Sequence, residues 1–201
     1  PNVIEVFDVG RTQDNRPYLV TELLEGEELR AVIKRTHKLE LGLAVHIVRQ
    51  VCAALGAAHR HNVVHRDMKP ENVIVSRDDD VVVVDFGLAK LVQGGTGTTG
   101  LTAHNVVFGT PQYMSPEQFA APGEVDHRAD IYALGVVFYQ MLTGELPGKK
   151  IEPPSKKVSI DVRLDEVVLR ALEQKPERRY QQASVLKTQV ETILSNKHTS
   201  T

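Results

Sequence analysis

The chain has 201 residues, 41% of them hydrophobic and 25% charged, with a formal net charge of −2. These values are typical of one soluble globular domain, and they give no indication of nucleic acid or a charged membrane surface as a partner. A single cysteine, Cys52, excludes an internal disulfide, and its apolar helical surroundings predict a small buried side chain. No apolar run reaches the ~18 residues that cross a bilayer, so we predict neither a membrane segment nor a signal peptide.

The first part of the chain alternates between β-rich and helical patterns. Residues 3–9 and 18–24 are β-rich and flank a polar turn, which predicts a hairpin. A Glu-Gly pair then breaks the strand, and residues 27–35 predict a short helix with acidic residues at its start. Apolar residues at helical spacing across 43–60 predict a longer helix with a small-residue face.

The second part is mainly helical after one more hairpin. Residues 72–76 and 81–84, joined by an acidic turn, predict that hairpin, and the four valines at 81–84 predict a strand covered on both sides. Helices are predicted at 130–142, 164–173 and 183–194, an irregular segment at 144–157 and a mobile loop at 93–100. The pattern predicts an α+β fold in one mostly helical domain.

The strongest chemical signal is an acid, a base and an amide within one loop, in the run His65-Arg66-Asp67-Met68-Lys69-Pro70-Glu71-Asn72. Asp85-Phe86-Gly87 follows directly after the four valines. Asn72 begins one strand of the predicted hairpin and Asp85 ends the other, so both reach the same edge, and Asp67 lies on the loop that enters it. Converging carboxylate and amide oxygens are what a metal–phosphate site needs.

These two motifs resemble the eukaryotic-type protein kinase family, whose catalytic loop is H-R-D-x-x-x-x-N and whose metal motif is D-F-G. The resemblance implies a protein-kinase-like fold and phosphorylation of serine and threonine hydroxyls on proteins by ATP. It implies that Asp67 accepts the substrate hydroxyl proton and that Lys69 neutralises charge on the transferred phosphate. Asn72 and Asp85 are then expected to hold Mg²⁺ against the ATP phosphates. Lys69-Pro70 is similar to the serine/threonine branch.

A further run indicates a protein substrate, since small-molecule phosphotransferases share a similar catalytic loop. Gly109-Thr110-Pro111-Gln112-Tyr113-Met114-Ser115-Pro116-Glu117 resembles the kinase segment that binds the substrate residue after the acceptor. It ends in a variant of A-P-E in which serine replaces alanine. By the same resemblance, Thr110 bridges Asp67 and Lys69.

The family also implies structural roles around the catalytic loop. Glu117 is expected to form a buried ion pair with Arg179. Asp130 is expected to hold the backbone at His65 and Arg66, and an ordinary helix N-cap is an equally compatible role for it. Arg66 is expected to bind a phosphate carried by the loop between the D-F-G motif and the A-P-E variant.

Thr102 fits the family's phosphorylation position best among the threonines of that loop, and self-phosphorylation is then expected. The alternative is a Thr/Gly run that serves only as a soluble flexible loop. For the nucleotide, the resemblance implies an adenine-binding strand and hinge with Thr21 as gatekeeper. The expected adenosine contacts are the backbone of Glu22 and Leu24, the Glu28 side chain near the ribose, and Ile74 against the adenine.

The resemblance covers most of the chain, with one part of the family pattern missing. We expect an N-lobe remnant of two strands at 1–24, a helical C-lobe at 25–194 and a disordered tail at 195–201. The Gly-rich loop and the β3 lysine of the family are not found, so we expect a truncated chain with little activity alone. The amino-acid sequence as a whole resembles bacterial kinases. This resemblance implies a cytoplasmic domain, which in some of those kinases belongs to a membrane-anchored parent. The alternatives are a catalytically silent binding module and a small-molecule phosphotransferase.

Overall fold

Two small sheets and six helices make up the part of the chain that the structure describes. The structure is a computed structural model, and it describes residues 2–86 and 110–195. The strands are β1 (Val6–Arg11), β2 (Pro17–Thr21), β3 (Glu27–Glu28), β4 (Val73–Val75) and β5 (Val81–Val83). The helices are α1 (Leu29–Thr36), α2 (Leu41–Arg60), α3 (Pro116–Ala120), α4 (Arg128–Thr143), α5 (Arg163–Ala171) and α6 (Ala183–Ser195). Single 3₁₀ turns lie at Pro70–Asn72, Pro122–Glu124, Pro154–Lys156 and Pro176–Arg178.

The first predicted hairpin is present as a separate two-stranded antiparallel sheet of β1 and β2. Arg11 pairs with Pro17, and the Thr12 N–H donates to the Arg16 carbonyl at 2.9 Å, which closes the polar turn. Both strands are largely exposed, and they leave apolar side chains such as Phe7 in solvent. A two-stranded sheet of this kind has little core of its own.

The prediction that the first strand starts at residue 3 is wrong, because the start of the chain pairs with a different sheet. Val3 forms a parallel bridge with Val83 of β5. The Val83 N–H donates to the Asn2 carbonyl at 2.9 Å, and the Ile4 N–H donates to the Val83 carbonyl at 3.2 Å. These bonds satisfy the outer edge of β5, so β1 begins only at Val6.

The second sheet has the antiparallel order β3–β4–β5 and contains the second predicted hairpin. Val81 and Val83 are buried and Val82 is half-buried, so β5 is covered on both faces, one more completely than the other. The prediction of a helix from residue 27 is wrong by two residues. Glu27 is extended because it pairs with Val75, and helix α1 starts only after β3.

The helical core is centred on α4, in which thirteen of sixteen residues are buried. Helix α2 packs against α4, α6 and β5, and α5 packs between α4 and α6. Among the described residues, α2 is the one helix long and apolar enough to span a membrane by length and composition. Its contacts identify it as a core helix of this fold. Cys52 on α2 is buried as predicted, and burial raises the pKa of its thiol to about 12.

The chain between α4 and α5 is irregular, as predicted. Gly144 ends α4 in a left-handed conformation with φ of 78°, and its N–H donates to the Gln140 carbonyl at 2.8 Å. A single 3₁₀ turn, Pro154–Lys156, is the regular structure before α5. Ser195 belongs to α6, so the predicted disordered tail does not include it. The remainder of that tail, 196–201, and the predicted loop at 93–100 lie outside the described residues.

Candidate active site

The catalytic-loop run is held by a carboxylate from the core helix. Asp130 is buried, and its two carboxylate oxygens accept hydrogen bonds from the backbone N–H of His65, at 2.9 Å, and of Arg66, at 2.8 Å. Asp130 is the third residue of α4, and His127 occupies the N-cap position, so the N-cap alternative is wrong. The structure therefore gives this carboxylate the contacts that the resemblance implied.

A third hydrogen-bond donor to the Asp130 carboxylate was not predicted from the sequence. The ring Nε2 of His59, at the end of α2, lies 2.8 Å from Asp130 Oδ2, and its side chain is 9% exposed. The sequence had indicated a surface or helix-end histidine; His59 does lie in the last turn of α2, but it is nearly buried, so only the surface alternative is wrong. The position of His59, six residues before His65, was a weak indication that it lies near the catalytic loop. The ring of His127 lies beside it, with centroids 5.1 Å apart. His59 thus connects α2 to the clamp on the catalytic loop, which is the Asp130 carboxylate with the hydrogen bonds that it accepts from His65 and Arg66.

The His65 ring connects the catalytic loop to the strand that precedes Asp85. His65 Nδ1 accepts a hydrogen bond from the Asp67 N–H at 3.3 Å, and Nε2 lies 2.9 Å from the Val84 carbonyl oxygen. Because Nδ1 is the acceptor, the proton is on Nε2 and donates to Val84. Phe86 packs against the same ring at 4.8 Å. A buried side chain thereby fixes Asp67 relative to the strand end.

Asp67 lies at the centre of the polar contacts of the loop. Its Oδ2 accepts a hydrogen bond from Lys69 Nζ at 2.6 Å. Asn72 Nδ2 donates to the Asp67 carbonyl at 2.7 Å and lies 3.5 Å from Oδ2. Thr110 contacts Asp67 through its backbone N–H, 3.3 Å from Oδ1. The bridge expected from the Thr110 side chain is therefore replaced by a backbone contact to Asp67.

The two predicted metal ligands lie at one edge of the second sheet. The Val84 N–H donates to the Asn72 carbonyl at 3.0 Å, so Asn72 faces the residue directly before Asp85. No described residue donates to the Asn72 side-chain oxygen or to the exposed Asp85 carboxylate. Mg²⁺ is held in nucleotide sites by few protein oxygens together with phosphates, and this donor set fits it. No cluster of three or more His, Cys, Asp or Glu that fits a metal ion lies among residues 2–86 and 110–195.

Two residues of the site have a left-handed backbone that ordinary side chains rarely adopt. Arg66 has φ of 66° and Asp85 has φ of 63°. Such a conformation costs about 1–3 kcal/mol per residue and persists where the surrounding contacts impose it. At Arg66 that contact is the Asp130 carboxylate. Backbone strain in the catalytic loop and at the end of the hairpin is typical of a functional site.

The predicted adenosine contacts lie on β2, on the segment after it and on the second sheet. Glu28 and Ile74 are direct partners across β3 and β4, so these two meet. The Glu22 N–H donates to Glu5, and the Glu22 carbonyl accepts from the Thr21 hydroxyl at 3.2 Å. The backbone of Leu24 has no hydrogen bond to any described residue. A free hinge N–H at Leu24 is available to a ligand, whereas the Glu22 N–H is already used.

Gly26 is a second residue that sequence reasoning assigned no role. A Cβ at this position would meet the Val75 carbonyl oxygen at 2.5 Å and the Ile74 side chain at 2.9 Å. The segment after β2 therefore lies directly on β4, and only glycine permits this approach. The Glu-Gly pair had been predicted to end the strand and hinge run. Its actual consequence is to bring the hinge segment close to Ile74.

The predicted partner of Glu117 is present. Arg179 Nη1 and Nη2 donate to the two Glu117 oxygens at 2.6 and 2.7 Å, and the Arg179 side chain is 0% exposed. The other guanidinium hydrogen bonds go to the carbonyls of Glu173, Gln174 and Arg128. Burial alone would raise the pKa of Glu117, but the hydrogen bonds and charge of Arg179 lower it below its ordinary value.

A short helix connects this ion pair to the catalytic loop. Gln118, beside Glu117 on α3, accepts from the Ser115 N–H at 2.9 Å through its side-chain oxygen. Its side-chain nitrogen donates to the Arg66 carbonyl at 2.9 Å. This role was not predicted, because the partner of Gln118 is a backbone carbonyl that has no signature in the sequence. Arg66 is thus held by α4 through its N–H and by α3 through its carbonyl.

Comparison with known proteins agrees with this geometry. The family model described as protein kinase domain matches residues 1–200. The chain belongs to the protein kinase family. The family prediction from the sequence and the α+β, kinase-like fold are therefore confirmed. Protein kinases use ATP with a divalent metal ion.

The relatives of this kinase-family chain include bacterial serine/threonine kinases. The serine/threonine-protein kinase pkn3 of Myxococcus xanthus is 36% identical over 96% of this chain and 39% of the relative. PknB of Mycobacterium leprae is 37% identical over 93% of this chain and 32% of the relative. The chain thus spans about a third of the length of these curated relatives. The crystal structure of the Mycobacterium tuberculosis PknI kinase domain matches with a TM-score of 0.75 and 26% identity, over 96% of this chain and 72% of that chain.

Arg66 was predicted to bind a phosphate group carried by Thr102. Thr102 lies outside the described residues, so that prediction stays a prediction. The Nε atom of Arg66 is buried and has no hydrogen-bond partner among the described residues. A buried donor without a partner is costly, and an anion bound at Arg66 would satisfy it.

Replacing Asp130 with asparagine should lower the free energy of unfolding of this kinase chain by about 1–3 kcal/mol, the cost of one unsatisfied buried donor. Asparagine keeps one acceptor oxygen but presents an NH₂ group to the second amide of the pair His65 and Arg66. Urea unfolding monitored by circular dichroism measures the loss. Asp78→Asn, the same change in the exposed turn before β5, is the matched control and should leave stability unchanged. Equal stability of the two variants would contradict a clamp at Asp130.

Proposed function

We propose that the chain transfers the γ-phosphate of ATP to serine and threonine hydroxyls of proteins. The observation that supports the proposal is that Asn72 donates to the Asp67 carbonyl and, at the edge of the second sheet, pairs with the residue directly before Asp85. Asp67, Asn72 and Asp85 are each positioned from the buried side of the molecule, by Asp130, by the His65 ring and by the hairpin itself. Phosphoryl transfer needs mainly such positioning and charge stabilisation.

Asp67 is the residue that would accept the proton of the attacking hydroxyl. Its carboxylate is partly exposed, with 38% of the side chain accessible, so an acceptor hydroxyl can reach it. The Lys69 ammonium, which donates to Oδ2 at 2.6 Å, orients the carboxylate. When the transferred phosphate is present, the same ammonium is close enough to neutralise part of its charge. Thr110 holds the other oxygen of Asp67 through its N–H.

Mg²⁺, bound by the oxygens of Asn72 and Asp85, would neutralise the ATP phosphates and polarise the one that is transferred. The chain's own contribution is to fix those two oxygens. Asn72 is oriented because its nitrogen donates to the Asp67 carbonyl, which leaves its oxygen as the free end. Glu28, Ile74 and the Leu24 N–H would contact the nucleoside, next to the close approach at Gly26.

The segment after Thr110 supports a protein acceptor rather than a small molecule. Tyr113 is buried, and its hydroxyl donates to Gln140 of α4 at 2.8 Å. Met114 and Ser115 are buried as well. The segment is therefore a fixed wall beside Asp67, along which an extended peptide can lie. We propose a cytoplasmic site, where ATP is available, and self-phosphorylation as one of its reactions.

The function is tested by following radiolabelled phosphate from ATP to a basic test protein and to a panel of aminoglycosides. The 201-residue chain and the longest product of its gene are assayed in parallel, each with Mg²⁺ and with excess chelator. We expect phosphoserine and phosphothreonine in protein from the longer product, abolished by the chelator, whereas strong transfer by the 201-residue chain itself would contradict the low activity expected of it from the sequence. Label on the aminoglycosides alone would replace the protein substrate by a small molecule. ATP binding without any transfer would favour the binding-module alternative.

A further inference from the structure

A groove opens beside the catalytic loop, between α1 and the end of α4. Its volume is about 290 Å³. Its walls are formed by Arg30, Ile33, Lys34, His37, Pro70 and Gln140. Pro70, which lines the groove, follows directly after Lys69 in the chain. Gln140, which also lines it, accepts a hydrogen bond from Tyr113 of the segment proposed to contact the peptide. The groove is thus connected on two sides to the residues that would hold the acceptor.

The groove has a positive lining. Arg30 and Lys34 are cations, His37 is the third basic group, and no carboxylate lines the groove. Arg30 donates one N–H to Glu71 at 2.8 Å. Its other guanidinium donors have no partner among the described residues. Lys34 is exposed and makes no hydrogen bond or ion pair to any described residue.

The acidic residues near this groove do not cancel its charge. Glu71 balances the formal charge of Arg30 but contacts only one of its donors, and its other oxygen is buried without a hydrogen-bond partner in the described parts of the chain. Glu145 follows the groove-lining Gly144 but is paired with Lys157. Further along the same irregular segment, two more lysines, at 149 and 150, are exposed. The groove lining therefore keeps one cation, Lys34, that no described carboxylate compensates.

The distance from the groove to the acceptor position follows from chain geometry. Asp67 and Pro70 are three residues apart, so their Cα atoms are separated by no more than about 11 Å. An extended peptide advances about 3.3 Å per residue. A substrate whose hydroxyl is at Asp67 therefore reaches the Pro70 wall within about three residues.

We propose that this groove selects protein substrates with an acidic residue about two to four positions from the phosphorylated serine or threonine. The carboxylate of aspartate or glutamate is bound by Lys34 and by the unpaired donors of Arg30. The inference rests on the proposed function, because it places the acceptor at Asp67. It adds the substrate class, which neither the family nor the catalytic residues determine.

The test uses matched peptides that differ only in glutamate or glutamine at those positions, on either side of one acceptor serine. A second set replaces the acceptor serine by alanine, and its binding is measured by fluorescence anisotropy without ATP. We expect the glutamate peptides to bind about fivefold more tightly than the glutamine peptides, the size of one strong surface ion pair. Raising the salt concentration should reduce the difference.

Lys34→Glu should remove this preference, because it reverses the charge of an exposed lining residue without breaking a contact. Lys187→Glu, the same reversal on α6, is the matched control, since α6 packs against α2 and α5 and does not line the groove. It should keep the fivefold difference. Thermal melts of both variants show that they fold.

The outcomes separate the inference from the function on which it rests. Phosphate transfer with equal use of the glutamate and glutamine peptides overturns the acidic preference and leaves the kinase function intact. The same holds if Lys34→Glu keeps the preference. Tight, Lys34-dependent binding of the alanine peptides, with no transfer to any serine peptide by either length of protein, overturns the kinase function instead.

Discussion

Replacing Asp67 with asparagine should lower the rate of phosphate transfer by about 10²- to 10⁴-fold, the range typical of a lost general base. Asparagine has nearly the same shape, but it cannot accept a proton, and it presents an NH₂ group either to Lys69 or to the Thr110 N–H. The partly exposed carboxylate contributes little to folding, so the free energy of unfolding should change by less than about 1 kcal/mol.

The measurement is single-turnover phosphate transfer with ATP binding determined separately. Binding should be preserved, because Asp67 does not belong to the proposed nucleotide contacts. Asp79→Asn is the matched control: Asp79 has φ of 62° in the turn before β5, a conformation that asparagine tolerates. It should transfer phosphate at the parent rate. Asp67→Asn with more than about a tenth of the parent rate would contradict the role of Asp67 as the base.

Replacing Arg179 with methionine should lower the free energy of unfolding by about 3–5 kcal/mol, because the Glu117 charge is left partly buried without its partner. Three backbone carbonyls lose a hydrogen bond as well. For a chain of this size the loss corresponds to about 6–20 °C in the melting temperature. Urea unfolding provides the free energy, and thermal scans provide the shift.

The matched control is Arg16→Met, which breaks the exposed pair of Arg16 and Asp14 in the β1–β2 turn. Arg16 is 81% exposed in its side chain, and such a pair contributes at most about 1 kcal/mol. If Arg179→Met is no more destabilised than Arg16→Met, then the buried pair has no structural role.

The same ion pair gives a pH dependence with a definite sign. The pKa of Glu117 is lowered in the folded chain from its ordinary value of 4.5. The stabilisation is therefore complete above about pH 4.5 and is lost as the pH falls through the folded pKa. Unfolding titrated between neutral and acid pH should show a steeper loss in the parent than in Arg179→Met. Parallel curves would indicate that Glu117 is not the group responsible.

The predictions that held from the sequence were those based on local patterns. The hairpin that carries Asn72 and Asp85 was predicted because a run of valines and an acidic turn are strong local signals. The observed strands are Val73–Val75 and Val81–Val83, so each ends one residue before its predicted outer end, although the Val84 N–H still donates to the Asn72 carbonyl. Ser76 belongs to the turn, where its N–H donates to the Asp80 carbonyl. Element existence is encoded locally, whereas ends depend on partners.

The predictions that failed required knowledge of distant partners. The first strand begins later than predicted because Val3 pairs with Val83, eighty positions away in the chain. His59 was interpreted as a surface or helix-end residue, and its contact with Asp130 was not predicted, since nothing in its helix shows that Asp130 lies beside it. Gln118 was missed because its partner is a backbone carbonyl, and backbone groups have no sequence signature. Long-range polar contacts of this kind determine the site geometry but leave no periodic pattern.

The clamp on the catalytic loop has a consequence for the order in which the molecule folds. The hairpin from Asn72 to Asp85 and the contacts of Asp67 with Lys69 join residues close in the chain, whereas Asp130 reaches back 65 residues to His65. Closing such a loop is entropically costly, so non-local contacts form slowly. We expect the hairpin edge with Asn72 and Asp85 to form early and the catalytic loop to acquire its left-handed turn at Arg66 only when α4 docks. A kinase chain caught before that step would be compact but inactive.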